Sequence, residues 1–245
     1  MIAPSALTRD ADHATDAARP DVIRLADMDP NTFVVELESL RDQGLAPLFA
    51  TGHTSLAVDP TTGDPTRLLQ VALVNEINVT ELAASWIPTT PEIDVKLAFA
   101  RQAGDESNHF RLVADRLTAL GLDTSAFRAP PENALFGYMT ALSSTVERVA
   151  AGLFTLESIA HGVNQTFIAY CAARGDHETV RIYEQYIQPD ELAHQQMGRA
   201  LLEKHAVTDA QRSAARAVVS RVAELAVSAR GQAATKLGTA CFPGC

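Results

Sequence analysis

The sequence predicts an all-α protein: a four-helix bundle of two antiparallel hairpins joined by a crossover, with additional helices on its N- and C-terminal sides. Three observations predict it. Long segments carry apolar residues at helical spacing, with Gly and Pro at their edges. The connections are uneven, two of only a few residues and one running from Gly121 to Glu132 or beyond. The string D-E-x-x-H occurs once in each hairpin, as Asp105-Glu106-Ser107-Asn108-His109 and as Asp190-Glu191-Leu192-Ala193-His194.

The elements follow in chain order. Residues 1–28 begin with an Ala-, Asp- and Thr-rich stretch and are expected to be disordered. Asp29-Pro30 reads as an N-cap with Pro at the first helical position. That helix carries Phe33, Val34, Leu37 and Leu40 and is expected to stop at Gly44. Residues 51–65 read as a loop. The first bundle helix spans about Thr66 to Trp86, before Pro88, and the second runs from Thr90-Pro91-Glu92 to Leu120, closed by Gly121. The third spans from about Ala134 or somewhat later to Ala173, closed by Gly175, and the fourth from His177 to His205. Pro189 should kink or break the fourth helix, because it removes a backbone donor and its ring crowds the preceding turn. A last amphipathic helix starts at Thr208-Asp209 and reaches about Ala234, with Ala215, Val218, Val219 and Val222 on one face.

The expected organisation is therefore a single helical domain over 29–236, a bundle over 66–205 and a Cys-containing tail over 237–245. Cys241 and Cys245 read as two exposed thiols on a mobile tail, with a redox or metal-binding hook as the alternative. Cys171 reads as a buried apolar residue. Three cysteines make no disulfide framework.

A net charge of −10 excludes the basic stripe that nucleic acid requires. The start has no apolar signal region. No uninterrupted apolar run reaches the roughly 18 residues that would suggest a membrane span. The expectation is a cytoplasmic protein with no membrane or nucleic-acid partner, and a homodimer is the candidate assembly.

Glu and His three residues apart share one helix face, so one E-x-x-H string can grip one metal ion. Two strings on two helices, with one Glu on each of two more, make a dinuclear site. Facing residues of an antiparallel hairpin are equidistant from its turn. Glu76 and Glu106 have their midpoint at residue 91, beside the Pro88–Pro91 turn, whereas pairing Glu81 with Glu106 puts it inside a helix. Glu157 and Glu191 have theirs at residue 174, beside Gly175, whereas Glu147 would place it at 169, within a helix. Glu76 and Glu157 also lie among apolar residues, where a carboxylate is costly unless compensated. The candidate ligands are Glu76, Glu106, His109, Glu157, Glu191 and His194. Four carboxylates balance two divalent cations, and mixed oxygen and imidazole ligands suit iron or manganese.

This set resembles that of the ferritin-like di-iron carboxylate superfamily, over roughly residues 66–205. The resemblance implies a ferritin-like bundle and two iron ions, with Mn/Fe or Mn/Mn as alternatives. It also implies that Asp105 and Asp190 hydrogen-bond a ligand His on the opposite helix, fixing its tautomer. His161, one turn after Glu157, reads as an extra ligand, a proton relay or a hydrogen-bonded core residue. Thr80, Gln102, Asn164, Gln165, Gln188 and Gln195 fall within a turn or two of the ligands. Tyr183 and Tyr186 read as core packing.

The expected activity is an O2-dependent oxidation of a small organic substrate by hydroxylation, desaturation or N-oxygenation. An electron-donor protein is a further candidate partner. Ferroxidase, iron-storage or peroxide-detoxifying activity is the alternative, and a structural metal pin is the third reading.

Overall fold

The computed structural model describes residues 24–56, 65–130, 133–238 and 241–244, with the backbone alone for 51–56. Among them every regular element is helical. The elements are α1 (Pro30–Leu56), α2 (Pro65–Trp86), α3 (Ile93–Ala119), α4 (Ala134–Thr140), α5 (Thr145–Val149), α6 (Glu157–Ala172), α7 (His177–Ile182), α8 (Gln188–His205) and α9 (Asp209–Leu237). Two π-helices are spliced between them, Ala150–Leu156 joining α5 to α6 and Tyr183–Ile187 joining α7 to α8.

α2 packs along α3, and α8 packs on α6, on the first π-helix and on α3. α9 lies against α1 and the first π-helix, forming an outer layer. No described helix is long and apolar enough to cross a membrane.

Local chemistry sets the boundaries. The α3 end has Gly121 at φ +92°, and the α6–α7 turn has Gly175 at φ +71°, values that Gly adopts without the Cβ penalty. Thr208 caps α9 in a capping box with Gln211. Around the α2–α3 turn, Thr90 Oγ1 donates to Trp86 O at 2.8 Å, and Arg148 Nη1 donates to Thr90 Oγ1 at 3.2 Å. The buried Arg212 donates to the carbonyls of Ala206, Leu25 and Met28 and stacks on Phe33.

Several expectations are corrected. α1 does not stop at Gly44 but continues through Pro47 to Leu56. Gly44 is a contact glycine instead, since a Cβ there would sit 2.9 Å from Ala223 Cβ on α9. The expected loop at 51–65 is helical at 51–56, and 57–64 lie outside the described residues. The third helix is interrupted between Thr140 and Thr145, where Ser144 starts α5 with a capping box. Its partner in that box is Glu147, the carboxylate set aside above. The chain stays helical through Pro189. The π-helix ahead of it loosens the turn that its ring would otherwise crowd.

The expected disordered segment 1–28 lies outside the described residues as far as 23. Residues 25–27 form a 3-10 turn, tied down by a hydrogen bond from Ala26 N to Asp209 Oδ1 at 2.6 Å. The tail is also corrected, because Cys241 and Phe242 are buried rather than exposed. They join the apolar cluster that holds Leu68, Phe167 and Cys171, and Gly244 N donates to Asn164 Oδ1 at 3.1 Å. Burial pushes the Cys171 thiol up to about 12, so it stays protonated. Cys245 lies outside the described residues. Tyr183 packs edge-on against Phe167 in the core, whereas Tyr186 is exposed beside Arg181.

Candidate metal centre

Four helices each contribute one Glu to a single buried cluster: Glu76 from α2, Glu106 from α3, Glu157 from α6 and Glu191 from α8. His109 and His194 complete it, each one turn after its Glu on the same face. Two groups emerge, Glu76 with Glu106, His109 and Glu191, and Glu106 with Glu157, Glu191 and His194. Within each, one oxygen or nitrogen atom per residue lies within 4.8 Å of the others. Glu106 and Glu191 belong to both groups.

The two imidazoles are presented alike. His109 Nδ1 lies 3.1 Å from Glu106 Oε2 and 3.6 Å from Glu76 Oε2, while its Nε2 lies 3.2 Å from Asp190 Oδ2 on α8. His194 Nδ1 lies 3.4 Å from Glu106 Oε1 and 3.6 Å from Glu157 Oε1, while its Nε2 lies 3.0 Å from Asp105 Oδ2 on α3. Each Asp thus crosses to the other helix and accepts the outer N–H. That fixes the tautomer with the Nδ1 lone pair facing the carboxylates.

Further polar side chains brace the cluster. Gln102, one turn before Glu106, donates through Nε2 to Glu157 Oε1, and Gln195 Nε2 donates to the Glu157 carbonyl at 3.2 Å. Gln188 Nε2 reaches the His161 carbonyl at 3.1 Å. His161 itself is half-buried and belongs to neither group, and burial lowers its pKa. Asp105 and Asp190 are likewise outside both groups and hold the histidines instead. Gln102 had a sequence signal only as a polar residue one turn from Glu106. Its bond to Glu157 depends on the level at which α3 and α6 meet, which neither helix encodes alone.

Residues 72–230 match the family described as protein of unknown function (DUF455). The chain belongs to the DUF455 family. All six clustered Glu and His residues fall within the segment that matches DUF455, as do both Asp residues and Gln102. No curated protein and no solved structure matches the chain.

The electrostatics show how costly this DUF455 cluster is without a cation. Burial, partly offset by His109, pushes Glu76 up to about 8. Burial also drives Glu191 well above the usual carboxylate range, and the nearby Glu157 and Glu106 add to it. For His194 burial disfavours the charged ring, yet Glu157 and Glu106 prevail and raise it to about 11. For His109 burial is likewise outweighed, chiefly by Glu106 and Asp190. Glu106 resists burial through both histidines and falls below the usual carboxylate range. Protons thus occupy positions that cations suit better.

The residues fit a metal. The buried Glu157 Oε2 and His194 Nδ1 make no hydrogen bond, although a buried polar atom without a partner costs about 1–3 kcal/mol. Carboxylate oxygens and imidazole nitrogens are donors for iron, manganese or zinc, and the cluster contains no cysteine.

Proposed function

We propose that the cluster holds two divalent metal ions, iron or manganese, and that the protein is an O2-dependent oxidase or oxygenase of the ferritin-like di-iron carboxylate type. The observation that carries this reading is the reciprocal pairing of Asp105 with His194 and Asp190 with His109. It gives each group one imidazole whose inner nitrogen is fixed as an electron-pair donor.

In this reading Glu76, Glu106, His109 and Glu191 would hold one ion, and Glu106, Glu157, Glu191 and His194 would hold the other. Once bound, a pair of reduced ions supplies the electrons for O2 reduction, and through it the oxidation of a small organic substrate. Gln102 occupies Oε1 of Glu157 and orients that carboxylate. Asp105 and Asp190 hold a proton on Nε2 of each histidine. All six Glu and His side chains are buried, which keeps bulk water away.

The test is metal content and O2 consumption on the full chain. Two iron or manganese ions per chain are expected, with O2 uptake by the Fe(II)-loaded protein. A metal content near zero after anaerobic loading overturns the site. Many ions per chain in a large cage would instead indicate iron storage, and metal-dependent folding without O2 uptake a structural pin.

A further inference from the structure

Among the clustered residues α6 contributes Glu157 alone. The others in its group, Glu106, Glu191 and His194, come from α3 and α8. That group therefore closes only if α6 stands at the right height against α8. A helix rises about 1.5 Å per residue. Metal–ligand distances tolerate deviations of only about 0.2 Å. A slide of α6 by a fraction of one residue would open the group.

Apolar packing does not by itself fix that height. α6 follows the first π-helix, whose residues are all buried and, Thr155 apart, carry no polar side chain. Burial of such surface is non-directional, so a small slide changes it little. Hydrogen bonds depend steeply on distance and angle. Two of them run from α8 to α6. Gln195 Nε2 donates to the Glu157 carbonyl at 3.2 Å, and Gln188 Nε2 donates to the His161 carbonyl at 3.1 Å. On α8 the spacing of Gln188, Glu191 and Gln195 puts all three on one face, with the candidate ligand between the two amides. On α6 the acceptors Glu157 and His161 are one turn apart. The two rungs thus meet α6 at the candidate ligand itself and one turn beyond it. Gln188 is also costly for packing alone. Its Oε1 is buried and makes no hydrogen bond, a penalty that an apolar side chain of similar size would avoid.

We infer that Gln188 and Gln195 are positioning residues, which set the height of α6 against α8 and so hold Glu157 opposite Glu191 and His194 for one metal ion. The inference rests on the dinuclear reading above. Both glutamines act through main-chain carbonyls and leave the ligand side chains free to bind. Their part is that of supporting groups, which keep ligands within about 0.5 Å of the working geometry.

The experiment titrates Mn(II) into the full-length protein by calorimetry and records the electron paramagnetic resonance of the saturated form. The variants are Gln188→Met and Gln195→Met, which keep side-chain length and remove the donor. Each should weaken one of the two binding steps by about 10–100-fold, leave the other unchanged and alter the exchange-coupled signal of the paired ions. Without metal, Gln188→Met should melt no lower than the parent, because the orphaned oxygen is gone. If one variant fails to fold, the other carries the test. Thr145→Val is the control. It breaks the bond from Thr145 Oγ1 to Glu92 Oε2 on the far side of α5, and should lower the melting temperature while keeping both Mn(II) steps. A parent that takes up no Mn(II) overturns the metal centre and this inference with it. A parent that takes up two, matched in affinity and signal by both glutamine variants, overturns this inference alone. So does equal weakening of both steps, or the same loss in Thr145→Val, since either would mean general loosening of the bundle.

Discussion

Asp105 on α3 accepts a hydrogen bond from the Nε2 of His194 on α8 at 3.0 Å. The imidazole is fully buried and the carboxylate half-buried, so the contact links the cluster interior to the outside of the bundle. Replacing Asp105 with Asn keeps the shape but lets the ring take the wrong tautomer. Metal affinity should fall about 10–100-fold, with helix content unchanged. Equal affinity in Asp105→Asn and the parent, by competition with a chromophoric chelator, would remove the role assigned to this pair.

Glu106→Ala should prevent binding of both ions, because Glu106 contributes to both groups. Glu147→Ala is the contrasting case. It removes the Glu147 half of the capping box at Ser144 and should cost about 0.3–1.5 kcal/mol of stability while leaving two metals per chain. Elemental analysis and urea unfolding of the two variants separate ligand from cap.

Gly198→Ala should destabilise the protein although it favours α-helix. A Cβ there would lie 2.7 Å from both Leu153 C and Phe154 N, backbone atoms of the first π-helix that cannot swing aside. The propensity gain of about 1 kcal/mol is smaller than the cost of forcing two helices apart, about 1–3 kcal/mol. A rise in the melting temperature would show that the contact is looser than this.

The metal-free protein should lose stability as the pH rises. Glu76 goes from 4.5 to about 8 on folding, so its contribution is full below 4.5 and is lost as the pH passes through 8. His194 goes from 6.5 to about 11, so its contribution is full below 6.5 and fades towards 11. The two act in the same direction and overlap between 6.5 and about 8, so together they span 4.5 to about 11. Bound cations displace these protons, so metal uptake should strengthen over the same range. Melting curves in chelator and in Mn(II) should diverge as the pH rises, and parallel curves would contradict the argument.

Much of the architecture was legible because it depends on short-range rules. Gly121, Gly175 and Thr208 mark helix ends through backbone geometry alone. The four glutamates could be matched across hairpins because the rise per residue is constant, so a turn position fixes which residues face each other. What stayed hidden depends on partners. Gly44 reads as a terminator until Ala223 is found against it, and the tail reads as exposed until Phe242 is seen under Arg230. The break before Ser144 uses a capping box inside an otherwise periodic stretch. The π-helices have no residue signature, although Thr155 Oγ1 donates at 2.6 Å to Ala150 O, five residues back.

The first π-helix also changes what a sequence position means along this rod. A π turn holds about one residue more than an α turn, so the faces before and after it are out of phase by about 100°. α5 packs against the outer α9, and the following α6 presents Glu157 to the inner cluster. One continuous rod therefore serves two layers without a loop between them. Deleting a single residue from Ala150–Leu156 would work like turning a key by a quarter revolution, swinging Glu157 and the rest of α6 out of phase with the cluster while leaving the sequence of α6 unaltered.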